Sequence, residues 1–163
     1  MVDYFLSKSP SETKKIGREL AKKIKKDGPG SKALILALSS DLGGGKTTFL
    51  QGLARGLGIE EKILSPTFVI MKRFKIPCSL RLSSGQAANR KDSKFENFYH
   101  LDCYRLKDAE ELLELGFSEI LFCPRNIVAI EWSEKIKKIL PKSAVWIELK
   151  FINDKKRKIT ISK

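Results

Sequence analysis

Apolar and polar positions change rhythm along this chain, and each rhythm predicts an element. Ile16, Leu20 and Ile24 recur every four residues with Ala21 beside them, which gives a helix one apolar face. Ser9, Pro10 and Glu12 precede that face at the N-cap, first-turn and capping-box positions. The "DGPG" of residues 27–30 stops the helix. Residues 32–38, "KALILAL", form a short apolar run that reads as a buried strand. Helical spacing returns from Thr47, with Phe49, Leu50, Leu53 and Leu57 on one face and Gly58 as the stop.

The second half continues the alternation. Residues 65–76 and 98–106 read as strands, with a polar stretch between them. That stretch, residues 77–97, is rich in Ser, Gly and Asn, and its middle is expected to be an exposed hairpin tip or mobile insertion. Asp108 and Glu111 stand in capping-box spacing before a short helix that Gly116 ends. Residues 126–132, "NIVAIEW", read as another buried strand, and residues 133–140 as a helix closed by Pro141. In residues 144–151, Val145, Ile147, Leu149 and Phe151 alternate with Trp146, Glu148 and Lys150, the pattern of a half-buried strand. "NDKKRK" then turns the chain into "ITIS" as an antiparallel hairpin. Strands alternating with helices indicate an α/β sheet covered by helices on its faces.

Composition changes the picture in two ways. The 163 residues are expected to form one domain, residues 1–163. The 32 Lys and Arg against 19 Asp and Glu leave a net charge of +13, which raises affinity for RNA, acidic partners or anionic surfaces. The basic residues are dispersed, so a lysine-rich solvated surface is the simpler reading. No apolar run reaches the roughly 20 residues that span a bilayer, and the N-terminus shows no secretory pattern. Cys78, Cys103 and Cys123 lack metal-ligand spacing and a disulfide framework, which favours a reducing, cytoplasmic location.

The chemistry concentrates in residues 39–50, "SSDLGGGKTTFL". A phosphate-binding P-loop needs a preceding strand, flexible glycines, a lysine, and a hydroxyl residue that opens a helix. Its inward N–H groups cradle phosphate oxygens, and the helix N-terminus adds partial positive charge. Gly43, Gly44 and Gly45 supply the close approach, Lys46 is the phosphate lysine, and Thr47 is the magnesium hydroxyl. Asp41, Leu42 and Thr48 complete the cradle. Ser40 stands where such a loop usually has its first glycine. Serine fits there with ordinary dihedrals and is strained by about a kcal/mol or more where φ is positive. With this loop, the α/β expectation becomes a P-loop NTPase-like three-layer sandwich. Its sheet is mostly parallel, with antiparallel edge strands and a C-terminal hairpin.

A triphosphate site also needs carboxylates for its metal at strand ends near the loop. Glu131 ends one apolar strand and Asp102 ends another. In an open α/β sheet that edge is where ligands bind. Thr67, after Pro66, is a candidate γ-phosphate sensor or an ordinary strand threonine. Trp132 is core or a platform for nucleotide or partner. His100, the single histidine, reads as structural, with a base as the alternative. Guanine-reading motifs are absent in the right order and place, so adenine is the better fit.

The stretches "SSDLGGGKTTF", "SPTF", "FYHLDCYRL", "LGFSEIL" and "IEWSEKI", in this order across residues ~9 to 161, resemble the TsaE (formerly YjeE) family. It comprises small bacterial P-loop ATPases of tRNA threonylcarbamoyladenosine synthesis. The resemblance implies ATP and Mg2+ as cofactors, slow hydrolysis, and action with TsaB and TsaD on a tRNA adenosine beside the anticodon. Neither DNA nor a membrane is implied. Lys46 would bind phosphate, and Thr47 and Glu131 would hold magnesium. Asp102 would support the metal or the attacking water, with Thr67 near the γ-phosphate. Trp132 would serve the ATPase or a partner contact. Thr13 and Arg157 match positions near the nucleotide. Two departures stand out: Ser40 itself, and a longer 77–97 connection whose Arg81, Arg90, Lys91 and Lys94 read as a solvated loop, with contact to RNA or a partner as the alternative. A small-molecule or nucleoside kinase and an RNA-binding adaptor stay open as rival readings.

Overall fold

The structure is a computed structural model, which describes residues 2–66, 69–77 and 95–163. Its strands are β1 (Val2–Ser7), β2 (Leu34–Ser39), β3 (Met71–Lys75), β4 (Asn97–Asp102), β5 (Asn126–Glu131), β6 (Val145–Phe151) and β7 (Arg157–Ser162). Its helices are α1 (Pro10–Asp27), α2 (Lys46–Leu57), α3 (Glu110–Glu114) and α4 (Phe117–Phe122), with a 3₁₀ segment at Ser133–Ile139. The strands form one sheet in the order β1-β7-β6-β2-β5-β4-β3. The four strands β6-β2-β5-β4 are mutually parallel. β7 and β3 run against them, and β1, antiparallel to β7, returns to the common direction. The expected three-layer architecture is present.

Strand alternation sends successive side chains to opposite faces, and two cores result. Leu36, Leu38, Phe98, Ile127 and Ala129 pack beneath α1 and α2. Ile35, Leu101, Val128 and Ile130 pack on the other face with Leu112, Phe117 and Ile136. β5 is buried at all of its positions, which explains why it reads as an unbroken apolar run.

α1 is capped as the sequence indicates. Ser9 Oγ accepts from the Glu12 N–H at 3.2 Å, and the Glu12 carboxylate returns to the Lys8 N–H at 2.7 Å. Gly28, at φ 74°, closes the helix. α1 and α2 cross at backbone contact: a Cβ on Gly52 would stand 2.5 Å from Lys14 Cα and 2.6 Å from Lys14 C.

Several expectations need correction. β1 is an edge strand that pairs with the far end of the chain, and no local pattern announces it. The strand expected over 65–76 begins only at Met71. A turn bond from Val69 N to Pro66 O and the left-handed backbone of Ile70, φ 60°, come just before it. The segment after β5 is a 3₁₀ turn with a kink at Ile136. Ser133 Oγ donates to Leu38 O at 3.1 Å and pins its start against β2. A second short helix, α4, starts directly after Gly116. Phe151, expected on the buried face, is half exposed beneath the Arg157 guanidinium at 4.7 Å. At the end of the 77–97 stretch Phe95 is buried and Glu96 N donates to Arg125 O at 2.8 Å, and the middle of the expected insertion lies outside the described residues. Its basic residues Arg81, Arg90, Lys91 and Lys94 lie outside the described residues. Among the described residues no helix is long and apolar enough to cross a membrane.

The α1–α2 crossing makes a test. Alanine normally favours a helix over glycine by about 1 kcal/mol, whereas overpacking costs about 1–3 kcal/mol and more where only backbone is in the way. Gly52→Ala is therefore expected to lower the urea midpoint. An unchanged or raised midpoint would contradict the close crossing.

Candidate functional site

Parallel register gathers the site. Leu38 and Asp102 both pair with Glu131, so the ends of β2, β5 and β4 lie side by side beneath the loop that leaves β2. Leu42, Gly43, Gly44, Gly45, Lys46, Thr47 and Thr48 form one wall of a cavity of about 390 Å3. Ser65, Asp102, Tyr104, Glu131 and Trp132 form the rest.

The loop is shaped to present amides. Gly45 is the N-cap of α2 at φ 102° and no side chain caps the helix. The first helical bond runs from Phe49 N to Gly45 O at 2.9 Å. The amides of Lys46, Thr47 and Thr48 therefore have no acceptor within the helix and face the cavity end, the arrangement that suits an anion. Ser40 is not among the residues with positive φ, so it replaces the usual glycine without backbone strain. It also constrains the loop, because a Cβ on Gly44 would stand 2.7 Å from Ser40 Cβ and 2.9 Å from Asp41 O.

Lys46 is 5% exposed. Its ammonium donates to Ser40 O at 3.1 Å and Ser40 Oγ at 2.9 Å, and lies 3.8 Å from the centre of the Trp132 ring. Burial pushes its pKa below the ordinary lysine value, while Glu131, Glu134, Asp102 and Asp41 pull it back up. Trp132 reaches this place through a left-handed backbone, φ 58°. Its ring also meets Tyr104 at 5.1 Å. Trp132 and Ile70 are the non-glycine residues with positive φ among those described. Ile70 O accepts from Asp102 N at 2.9 Å, so both strained positions adjoin the acids. Such backbone costs roughly 1–3 kcal/mol each and persists where surrounding structure fixes it.

The two acids are each 3% exposed. Donors offset the cost of burying them. Glu131 Oε1 accepts from Thr47 Oγ1 at 2.9 Å and pairs with His100 Nε2 at 2.8 Å. Asp102 Oδ2 accepts from Ser65 Oγ at 2.5 Å, and Oδ1 from the Tyr104 N–H at 2.9 Å. Among the described residues no group of three or more His, Cys, Asp or Glu could hold a metal by itself. Magnesium does not need one, since it commonly takes one or two carboxylates with phosphate oxygens and water. Thr47 Oγ1 and Glu131 suit that donor set.

On the other side of the loop, Thr13 and Arg157 line a smaller cavity of about 90 Å3 with Gly43, Gly45 and Thr48. Thr13 is buried and shares its hydroxyl with Ser7 Oγ at 2.8 Å. The Arg157 guanidinium is occupied by backbone carbonyls, that of Asn153 at 2.7 Å. Asp41 and Leu42 are exposed, and Thr67 lies outside the described residues. Cys103, beside Asp102, is inert: burial and then the Asp102 charge push its thiol up to about 12.

A family model described as "Threonylcarbamoyl adenosine biosynthesis protein TsaE" matches residues 7–159. The chain belongs to the TsaE family. It is 35% identical over 156 residues to the tRNA threonylcarbamoyladenosine biosynthesis protein TsaE of Rickettsia prowazekii, covering 95% of this chain and 91% of that protein. It is 34% identical over 154 residues to the protein of the same name from Bacillus subtilis, covering 94% and 81%. The crystal structure of Bacillus subtilis YdiB matches with a TM-score of 0.71 at 28% identity, covering 99% of this chain and 84% of that one.

For this TsaE-family chain, sequence reasoning did not assign Ser65, Tyr104 or His100 to the site. Ser65 and His100 were visible as polar residues beside Pro66 and inside an apolar strand. Tyr104 contributes a backbone N–H and a ring, and nothing in the sequence marks either.

The Lys46–Trp132 contact is testable without any ligand. In a Trp146→Phe background, Trp132 emission is expected to change as Lys46 loses its proton, at a pH below the ordinary lysine value of about 10.4. Lys46→Met should lack that transition. A transition at or above the ordinary value would contradict the burial of the ammonium.

Proposed function

We propose that this chain binds ATP with magnesium on the loop before α2, hydrolyses it slowly, and acts with TsaB and TsaD in threonylcarbamoyl modification of tRNA adenosine beside the anticodon. The tRNA pathway is supported by the TsaE relatives, whose names carry it. The nucleotide reading rests on one contact. The hydroxyl that opens α2, Thr47 Oγ1, donates to the buried carboxylate that ends β5 at 2.9 Å, and the uncapped amides lie beside it.

The residues divide the work. The amides at 46–48 and the Lys46 ammonium bind phosphate oxygens and neutralise charge as it shifts during transfer. Lys46 is oriented for this by Ser40 and by the Trp132 ring. Thr47 and Glu131 would hold magnesium, which when bound supplies Lewis-acid polarisation of the phosphoryl oxygens. Asp102, fixed by Ser65 and the Tyr104 amide, orients water or the metal's surroundings. Thr67 is assigned to the γ-phosphate, and Thr13 and Arg157 to the side of the loop away from the acids. Both pocket carboxylates already accept from two groups each, an arrangement that holds them in position. That suits slow hydrolysis used to reset a partner complex. A cytoplasmic location follows from the tRNA substrate and is part of the proposal.

Lys46→Ala removes charge-assisted bonds worth about 1.5–3 kcal/mol each. The expected loss of ATP affinity, measured by calorimetry, is about 100-fold or more. Undiminished affinity would refute the assignment. Glu131→Ala is expected to raise the magnesium concentration needed for half-maximal ATPase rate, and an unchanged magnesium titration would count against its role. Wild-type ATP consumption should rise when TsaB and TsaD are added. Phosphorylation of a small acceptor by the chain alone would favour a kinase instead.

A further inference from the structure

We infer that His100 is a positioning residue for the metal side of the site: its ring N–H holds the Glu131 carboxylate where it meets the Thr47 hydroxyl. This rests on the nucleotide–magnesium reading above and adds to it a residue that the loop and the paired acids do not imply. His100 is in β4, fully buried, two residues before Asp102 on the same face of the sheet. Its Nε2 lies 2.8 Å from Glu131 Oε1, the same oxygen that accepts from Thr47. A carboxylate oxygen bonded this way accepts, so Nε2 carries the hydrogen and donates.

The other nitrogen carries the argument further. His100 Nδ1 is buried with no hydrogen-bond partner among the described residues. Buried polar atoms are nearly always paired, and an orphan costs desolvation that an apolar side chain in β4 would avoid. Among the described residues the ring therefore makes one polar contact, and that contact is with Glu131. Packing alone explains neither the orphan nor the choice of partner.

The consequence concerns preorganisation. A glutamate side chain has several rotatable bonds, and ordering it on metal binding costs entropy. With His100 on one side and Thr47 on the other, Glu131 is already fixed in the folded chain. Donors that orient a metal-binding side chain typically change metal affinity or activity by roughly 10–100-fold when removed. His100 therefore acts on magnesium through Glu131 and touches neither phosphate nor water.

The test compares wild type, His100→Leu and His100→Gln as full chains, using a fluorescent ATP analogue in EDTA and across a magnesium titration. In EDTA the three are expected to bind alike. With magnesium, His100→Leu should need roughly 10–100-fold more metal for the same gain in affinity. His100→Gln, which keeps an N–H of similar reach, should recover most of it. A wild-type magnesium midpoint in His100→Leu, or a Gln variant as impaired as Leu, would overturn the inference. Because His100 is the only histidine, ¹⁵N-histidine labelling of the wild type gives an independent reading should the Leu variant not fold. The Nε2 resonance should carry a directly bound proton and shift on adding magnesium with ADP more than with ADP in EDTA. Equal spectra in the two conditions would contradict the inference. Wild type showing no magnesium-dependent gain would sink the nucleotide reading together with this one, whereas a gain that His100→Leu keeps would sink this one alone.

Discussion

The hydrogen bond from Thr47 to Glu131 joins residues 84 positions apart in the chain, and the site depends on it. It forms because β2 and β5 are parallel neighbours in a register that pairs Leu38 with Glu131. The loop after β2 must then turn back over the sheet so that α2 opens above the end of β5. Shift the register by one residue and Glu131 changes face, since side chains alternate along a strand. Asp102 would be separated from Glu131 by the same slip on β4. The buried core of β2 and β5 thus positions polar groups at its margin, and the cost of burying two carboxylates is met by placing donors on each.

The loop itself balances openness against constraint. The first amides of α2 are uncapped, while Lys46 is held by Ser40 and Trp132. A lysine without such partners would sample many rotamers and lose entropy on binding an anion. Ser40 contributes a hydroxyl acceptor that a glycine lacks, at the cost of leaving no room for a side chain at 44. The left-handed Trp132 aims a ring under the ammonium that an extended backbone would send elsewhere. Among the described residues the left-handed non-glycine positions, Ile70 and Trp132, both adjoin the acids.

Much of this was legible in the sequence, and the reasons are physical. Buried parallel strands are continuous apolar runs, so β2 and β5 declared themselves. Caps at Ser9 and Asp108 are local chemistry and were readable; Asp108 Oδ1 accepts from Glu111 N at 3.2 Å. A lysine and a threonine at a helix start after three glycines fixed the loop. What escaped depends on distant contacts. β1 exposes much of its apolar surface and is specified by pairing with β7, so no alternation marked it. β3 starts late, just after the left-handed backbone of Ile70. The segment after Trp132 is tied to β2 by a hydroxyl reaching across to Leu38, a contact 95 positions apart in the chain. The His100–Glu131 contact escaped because a lone histidine in an apolar strand carries no signal of its partner, and only the β4–β5 pairing brings Glu131 to it.

The central claim is that a triphosphate and its cation are held between the opening of α2 and the ends of β5 and β4. Crystals grown with a non-hydrolysable ATP analogue and manganese test it directly, since manganese is located by anomalous scattering. The account predicts a metal peak about 2.0–2.2 Å from Thr47 Oγ1, with Glu131 bound to it or to its water. Phosphate oxygens should lie on the amides of 46–48. A metal bound elsewhere, or an analogue whose phosphates leave those amides unpaired, would contradict it.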